Sequence, residues 1–581
     1  MNRKQRRAAL KHSPSAGGLR GGPPGDPASQ LFAEAIRHQQ QNKLNDAARA
    51  YKRLLLLRPD HAMASNNLGI VLQAQGKLHE ASGRFAQSLT LMPQLFDQFQ
   101  GICATLVAVL PPLGEAIRNT MAAWPRRLPA DQLLGRSGLA AVAGDPLLLC
   151  LLQSVPVRDI ALERTLTSLR AALLAAAAHA ADDSVLAFCC ALAKQCFINE
   201  YVFATTPDED AQVERLKAAL GDAIASGADI PPMQLAALAM YWPLHALPSA
   251  EALLARTWPP ALADLLTQQL REPLHERALR ASIARLTAID DDVSLRVQQQ
   301  YEANPYPRWV HVAGQVVPTT IGEYLHGMFP TAVVVPLPET GAIEVLVAGC
   351  GTGWHAVEFA QKFDGVRVLA ADLSLSSLSY AKRNTPAALA TRIDYAQADI
   401  LKLGSLGRSF DLIDASGVLH HMADPVQGWR ILLTLLRPRG LMHLGFYSEL
   451  GRRDVVAARA FIAERGYGST PAEIRRCRQD LLDTPLRSVA RFNDFFSTSE
   501  CRDMLFHVQE GRLTIPAIKN FLAEHGLRFL GFEFDAATSQ KYRALFANAG
   551  WSMTDLDRWH ALEIEYPDTF ASMYQFWLQK G

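Results

Sequence analysis

Apolar positions along the chain follow two different periods, and the change from one to the other divides it. From about residue 130 to 295 the spacing is helical. Apolar-periodic segments at 147–152, 162–174, 185–197 and 212–224 are separated by Pro, Asp and Gly signals. After Tyr301 short β-rich runs alternate with helical ones. Strands are predicted at 343–348, 367–371, 392–397, 410–415, 441–446, 528–534 and 573–579. Seven strands with helices between them predict an α/β fold, a doubly wound sheet covered on both faces. The long stretch 447–527 between the fifth and sixth strands exceeds an ordinary connection and predicts a helical cap.

A third pattern lies upstream. Within 31–97, Ala47, Tyr51 and Pro59 reappear 34 positions later as Ala81, Phe85 and Pro93. Leu68-Gly69 supplies a small residue in the first helix of the second copy, and Ala35 takes that place in the first. Small residues where helices touch, an aromatic in the groove and a closing proline describe a helix pair. Ala116 and Trp124-Pro125 extend it to a degenerate third unit. The pattern resembles the tetratricopeptide repeat, an all-α module whose concave groove takes a protein partner. Ordinary helical hairpins are the competing reading. The predicted order is a disordered basic tail at 1–28, repeats at 29–128, a helical middle domain at 129–299 and the α/β domain at 300–581.

Composition narrows the function classes. A formal net charge of +1 argues against a nucleic-acid partner held by phosphate contacts. The one basic cluster is Arg3, Lys4, Arg6, Arg7, Lys11 and Arg20, followed at once by Gly21-Gly22-Pro23-Pro24-Gly25, which predicts a solvated tail. No apolar run approaches the ~20 residues a membrane span needs. The eight cysteines include no Cys-x-x-Cys, so no metal site or disulfide framework is expected, and reduced thiols in a cytoplasmic protein are the default.

The chemistry gathers in the α/β domain. The first strand runs directly into Gly349-Cys350-Gly351-Thr352-Gly353 and then a helix. Glycines suit a tight turn where a ligand meets bare backbone, beyond the carboxyl ends of the strands. Asp372 ends the next strand, where an acid accepts hydrogen bonds from two ribose hydroxyls, and Ala398-Asp399-Ile400 ends the third. Asp399 is placed to accept from an adenine amino group while Ile400 packs on the ring. Each acid alone also reads as a helix cap.

These motifs, with Phe410-Asp411-Leu412-Ile413, Val418-Leu419-His420-His421-Met422 and Leu435-Leu436-Arg437-Pro438-Arg439-Gly440, resemble the class I S-adenosylmethionine-dependent methyltransferases over about 300–581. The resemblance implies S-adenosyl-L-methionine as cofactor, held by Gly349, Cys350, Gly351, Gly353, Asp372, Leu373, Asp399, Ile400 and Gly417. It also implies that the last strand inserts antiparallel to its neighbours. One position departs from it: many members carry an acid two residues before the first glycine, and here that residue is Val347.

Methyl transfer from a sulfonium needs alignment and, for some acceptors, a base. His420 and His421 follow the fourth strand as candidate bases, or as packing residues. Tyr301, Tyr306 and Trp309 form a candidate acceptor-side lid, or pack a bent segment onto the sheet. Arg308 is placed to meet an anionic acceptor or the cofactor carboxylate. His507 and Glu510 lie in the expected cap. The leading reading is a methyltransferase acting on a protein or small molecule, with the repeats recruiting a protein. The alternatives are a non-catalytic scaffold with a vestigial cofactor fold and, less well matched, a nicotinamide-dependent oxidoreductase. Trp354 after Gly353 breaks the Gly-x-Gly-x-x-Gly spacing of the last.

Overall fold

The computed structural model describes residues 26–92, 102–135, 138–178, 182–310, 317–337, 341–546 and 552–581. Residues 1–25 of the expected tail, and Pro93 of the repeat pattern, lie outside these. The chain divides into two compact units, with the boundary between Arg271 and Glu272.

The first unit is helical. Asp26 accepts a hydrogen bond from Ser29 N at 3.3 Å and starts the helix Pro27–Gln40, so the last two residues of the expected tail are already helical. Leu44–Leu57, Ala62–Ala74 and Leu78–Leu91 follow. Ala35, Ala47, Tyr51, Ala81 and Phe85 are all buried. A Cβ on Gly69 would lie 2.7 Å from the Phe85 ring, so the small residue and the aromatic of the repeated pattern meet directly. The four segments predicted at 147–152, 162–174, 185–197 and 212–224 fall inside the helices Pro146–Ser154, Ile160–Ala176, Asp183–Ile198 and Pro207–Ser226.

The second unit is built on a mixed sheet. Its strands are β1 (Ala284–Arg285), β2 (Ile343–Ala348), β3 (Val366–Asp372), β4 (Ile393–Gln397), β5 (Phe410–Ser416), β6 (Leu436–Phe446), β7 (Leu527–Phe532) and β8 (Tyr574–Lys580). They lie in the order β1-β4-β3-β2-β5-β6-β8-β7. β1 to β6 pair in parallel, and β8 inserts antiparallel between β6 and β7. The sheet thus has eight strands where seven are predicted. The extra one is a two-residue edge strand in a segment whose periodicity reads as helical, too short to alternate. The segment 272–299, expected in the middle domain, belongs to the sheet unit. β6 begins five residues earlier than predicted, and its register against β5 shifts between Phe410 and Leu412.

The order of strands reverses between β2 and β5, which opens a crevice at their carboxyl ends. The long excursion before β7 is helical, with Arg453–Arg465, Pro471–Leu482 and Thr498–Phe506 followed by the crossover helix Ile515–Glu524. Among the described residues no helix is long and apolar enough to cross a membrane. All eight cysteines are free.

Candidate functional site

A cavity of about 290 Å³ opens where β2, β3, β4 and β5 end. Its floor is Gly349-Cys350-Gly351, the first part of the glycine turn between β2 and the helix Trp354–Lys362; Gly353, expected to hold the cofactor, packs against Ala381 and does not line it. Gly349, Gly351 and Gly353 have φ of 76°, 50° and 84°, a region L-residues rarely adopt. Their space is also taken. A Cβ on Gly349 would collide with Val418, one on Gly351 would lie 2.5 Å from Tyr306 O, and one on Gly353 would lie 2.6 Å from Ala381. The turn is therefore bare backbone for two independent reasons.

Two acids stand over the turn. Asp372 accepts from Gly351 N and from Ser374 N, both at 2.8 Å, and lines the cavity. Burial pushes its carboxyl up to about 6, with the backbone donors of Ser374 and Gly351 working against it. Asp399 accepts from Leu401 N at 2.9 Å through Oδ1, which is its capping role. Its Oδ2 is buried without a protein partner, and the residue lines the cavity. A buried carboxylate oxygen in that state is costly unless a ligand donor meets it. Cys350, Leu373, Ile400 and Gly417 line the same cavity.

The opposite wall was less legible in the sequence. The helix Asp292–Ala303, capped by Asp291 on Val293 N and Ser294 N, contributes Val293, Ser294 and Val297. Glu302 ties it to the loop after Asp372 by accepting from Leu375 N at 2.5 Å and Ser376 Oγ at 2.7 Å. An acidic cap followed by an amphipathic run marks that helix, but nothing local says which sheet edge it covers. Ser416, Tyr447, Met573 and Gln575 complete the wall.

The four aromatic and basic residues of 301–309 separate into two roles. Tyr301 and Tyr306 line the cavity, with rings stacked at 6.3 Å. Arg308 and Trp309 do not line it. Arg308 stacks over Tyr380 at 5.8 Å, and buried Trp309 donates to Thr352 O at 3.0 Å while its carbonyl accepts from Tyr380 Oη at 2.5 Å. Thr352 Oγ1 in turn donates to Pro307 O. This half of the segment braces the glycine turn from outside.

The two histidines after β5 also differ. His420 is buried, stacks on Tyr447 at 3.8 Å and has neither ring nitrogen partnered. Burial first, then His421, holds its pKa well below the usual histidine value, and it does not line the cavity. His421 does line it. Its Nδ1 is 3.0 Å from Gln509 O, an acceptor only, so Nδ1 carries a proton and Nε2 is the opposite edge of the ring. Nε2 faces Asp503 at 3.7 Å. Asp503 accepts from Tyr301 Oη at 2.5 Å, and His507 Nε2 lies 3.3 Å from the same hydroxyl. Glu510 is paired with Arg452 at 2.8 Å and stands outside this group.

His421, Asp503 and His507 lie close enough together to be considered as metal ligands. Two observations argue against a metal there. Gln509 N donates to His507 Nδ1 at 3.0 Å, so the proton of the neutral ring sits on Nε2, the nitrogen a metal would need. The His421 and His507 rings are also stacked at 3.7 Å, which does not converge two nitrogens on one ion. Burial, then His421, lowers the His507 pKa to about 2, so it stays neutral.

A second buried cluster sits at the β2 end of the cavity. Asp414 on β5 is the register partner of Val347 on β2 and of His443 on β6. Its Oδ2 is 2.9 Å from His355 Nδ1 and its Oδ1 is 2.6 Å from His443 Nδ1. Burial acts against the charge of His355, but Asp414 outweighs it and raises the ring to about 9. His355 lines the cavity.

Residues 345–440 match the model of a family described as "Methyltransferase domain". The chain is 28% identical over 331 residues to an uncharacterized protein of Synechococcus sp., covering 52% of this chain and 75% of that one. It is 30% identical over 142 residues to the ubiquinone biosynthesis O-methyltransferase of Cereibacter sphaeroides, covering 24% of this chain and 55% of that enzyme. Among solved structures, PKMT2 from Rickettsia typhi in complex with AdoHcy aligns with a TM-score of 0.35 and 19% identity. That alignment covers 45% of this chain and 53% of the other. The chain thus spans about half the length of the latter two.

Proposed function

Taking as premise that the second unit carries a class I S-adenosylmethionine-dependent methyltransferase domain, we propose that the cavity binds that cofactor and that the chain methylates an acceptor hydroxyl. One observation carries the cofactor reading. Asp399, whose buried Oδ2 has no protein partner, lines the same cavity as Gly349, Gly351 and Asp372, and an adenine amino group there would supply the missing donor. Asp372 would hold the ribose hydroxyls, Leu373 and Ile400 would flank the adenine, and Gly349, Cys350, Gly351 and Gly417 would admit the ligand to bare backbone. When bound, the cofactor supplies an electrophilic methyl group on a sulfonium.

On the acceptor side, the chain's own residues align and deprotonate. Tyr301, Tyr306 and Tyr447 exclude water around the entering group, and His421 Nε2 takes its proton, with Asp503 beside the imidazolium that forms. His420, with both nitrogens buried away from the cavity, packs rather than reacts. The relatives named as O-methyltransferases support an oxygen acceptor. The paired helices 27–91, with their 34-residue pattern, support a tetratricopeptide-type module that presents a protein partner.

Calorimetric titration of S-adenosylhomocysteine tests the cofactor site. Binding in the micromolar range is expected, weakened by about 1–3 kcal/mol in Asp372→Ala. Tighter binding of NADH would favour the oxidoreductase, and no binding of either would leave a scaffold. With labelled S-adenosylmethionine and fractionated extract, His421→Gln should bind the cofactor normally and lose most methyl transfer. Label in a protein band would assign a protein acceptor; label in small molecules would assign a metabolite and leave the helical pairs another partner.

A further inference from the structure

The departure at Val347 raises a question that the cavity answers. An acid at that position would take the ammonium of the cofactor's methionine end, and no carboxylate stands there. The nearest one across the sheet is Asp414, its register partner on β5, whose side chain therefore projects from the same face. That carboxylate is not available to a ligand. It is buried, with side-chain exposure of 2%, and both oxygens are taken by imidazole nitrogens, His355 at 2.9 Å and His443 at 2.6 Å. The carboxylate at this level of the sheet stands one strand over, covered by two histidines.

Those two rings are not equivalent. His443 is enclosed in the sheet, stacked on Trp577 at 4.9 Å, with 8% of its side chain exposed. His355 stands in the first turn of the helix Trp354–Lys362, two residues past Gly353, lines the cavity and keeps 30% of its side chain exposed. With Nδ1 turned to Asp414, the ring presents its Nε2 edge away from that carboxylate. The helix N-terminus adds its own partial positive charge beside it. A cavity end furnished this way suits an anion.

We propose that His355, oriented by Asp414, binds the carboxylate of the cofactor's methionine end, so that this site recognises that end by its carboxylate rather than its ammonium. The proposal rests on the cofactor reading above. Asp414 has a double part: it turns the ring and holds it cationic, helped by Glu358 on the same helix and by Glu533, which lies 3.6 Å from His443 Nε2. Asp414 is thus a positioning residue and His355 the binding one.

The test compares three ligands on the full chain by calorimetry. S-adenosylhomocysteine has the whole amino-acid end, decarboxylated S-adenosylmethionine keeps only its ammonium, and 5′-methylthioadenosine has neither. His355→Gln keeps an amide donor for Asp414 and removes the charge. It should weaken S-adenosylhomocysteine at least tenfold while leaving the other two within about twofold of the unsubstituted chain. Asp414→Asn should give the same selective loss, and unchanged 5′-methylthioadenosine binding certifies that each variant is folded. Unchanged S-adenosylhomocysteine binding in His355→Gln, or an equal loss for all three ligands, overturns the proposal. If the unsubstituted chain binds none of them, the cofactor reading itself fails, and the two failures are told apart.

Discussion

Single residues in this protein serve two masters, and Asp414 shows it most clearly. Taking it out of water is expensive, yet His355 and His443 supply two charge-assisted hydrogen bonds and hold its carboxyl below the usual range. The converse shift raises His355 to about 9, against burial and because of Asp414. A histidine whose folded pKa exceeds its unfolded value of about 6.5 contributes stability that is complete below that value. The contribution is lost as pH rises through about 9. Thermal unfolding between pH 7 and 10 should therefore show a decline that is shallower in His355→Gln. Equal slopes in the two proteins would mean that the ring is neutral in the fold. Asp372 shifts opposite to Asp414, because burial without a paired cation raises its carboxyl to about 6.

At the scale of elements, tight packing rather than intrinsic propensity sets the geometry. Gly69 sits in the middle of the helix Ala62–Ala74, where glycine costs about 1 kcal/mol relative to alanine. The Phe85 ring explains it by occupying the space a side chain would need. Gly69→Leu should destabilise the helical unit by about 1–3 kcal/mol in denaturant titration despite the better helix former. A neutral or stabilising result would show that the two helices are not held at this spacing. The same logic works in the glycine turn, where the segment Tyr306–Trp309 closes on the backbone of Gly351 and Thr352. Trp309 and Arg308 read from sequence as candidates for the acceptor side. They brace the loop through Trp309, which bonds Thr352 O and Tyr380, and through Arg308 over Tyr380, partners distant in sequence that no period predicts.

For the whole molecule, the boundary at Arg271/Glu272 separates two apolar cores, one drawn from residues 28–270 and the other from 346–578. Each is large enough to unfold as its own cooperative unit. Two thermal transitions are expected, and S-adenosylhomocysteine at about 100 times its Kd should stabilise only one, by about 2.7 kcal/mol. A ligand shift shared by both transitions would make the chain a single cooperative body.

What the sequence determined by itself is what local pattern carries. The period of apolar residues placed the seven main strands and the principal helices. Glycines followed by acids at the ends of successive strands marked one rim of the cavity, because Gly349, Asp372 and Asp399 act where their own strands stop. The tertiary structure alone decided the rest. It joined His355 to Asp414 across 59 residues, Asp414 to His443 across 29 and Tyr301 to Asp503 across 202. It also put His421 and not His420 on the cavity wall, though they are neighbours in the same short turn. The reason is physical: a strand's period says which side chains are buried, but partners for a buried charge come from strand order and register, and those are set only when the sheet assembles.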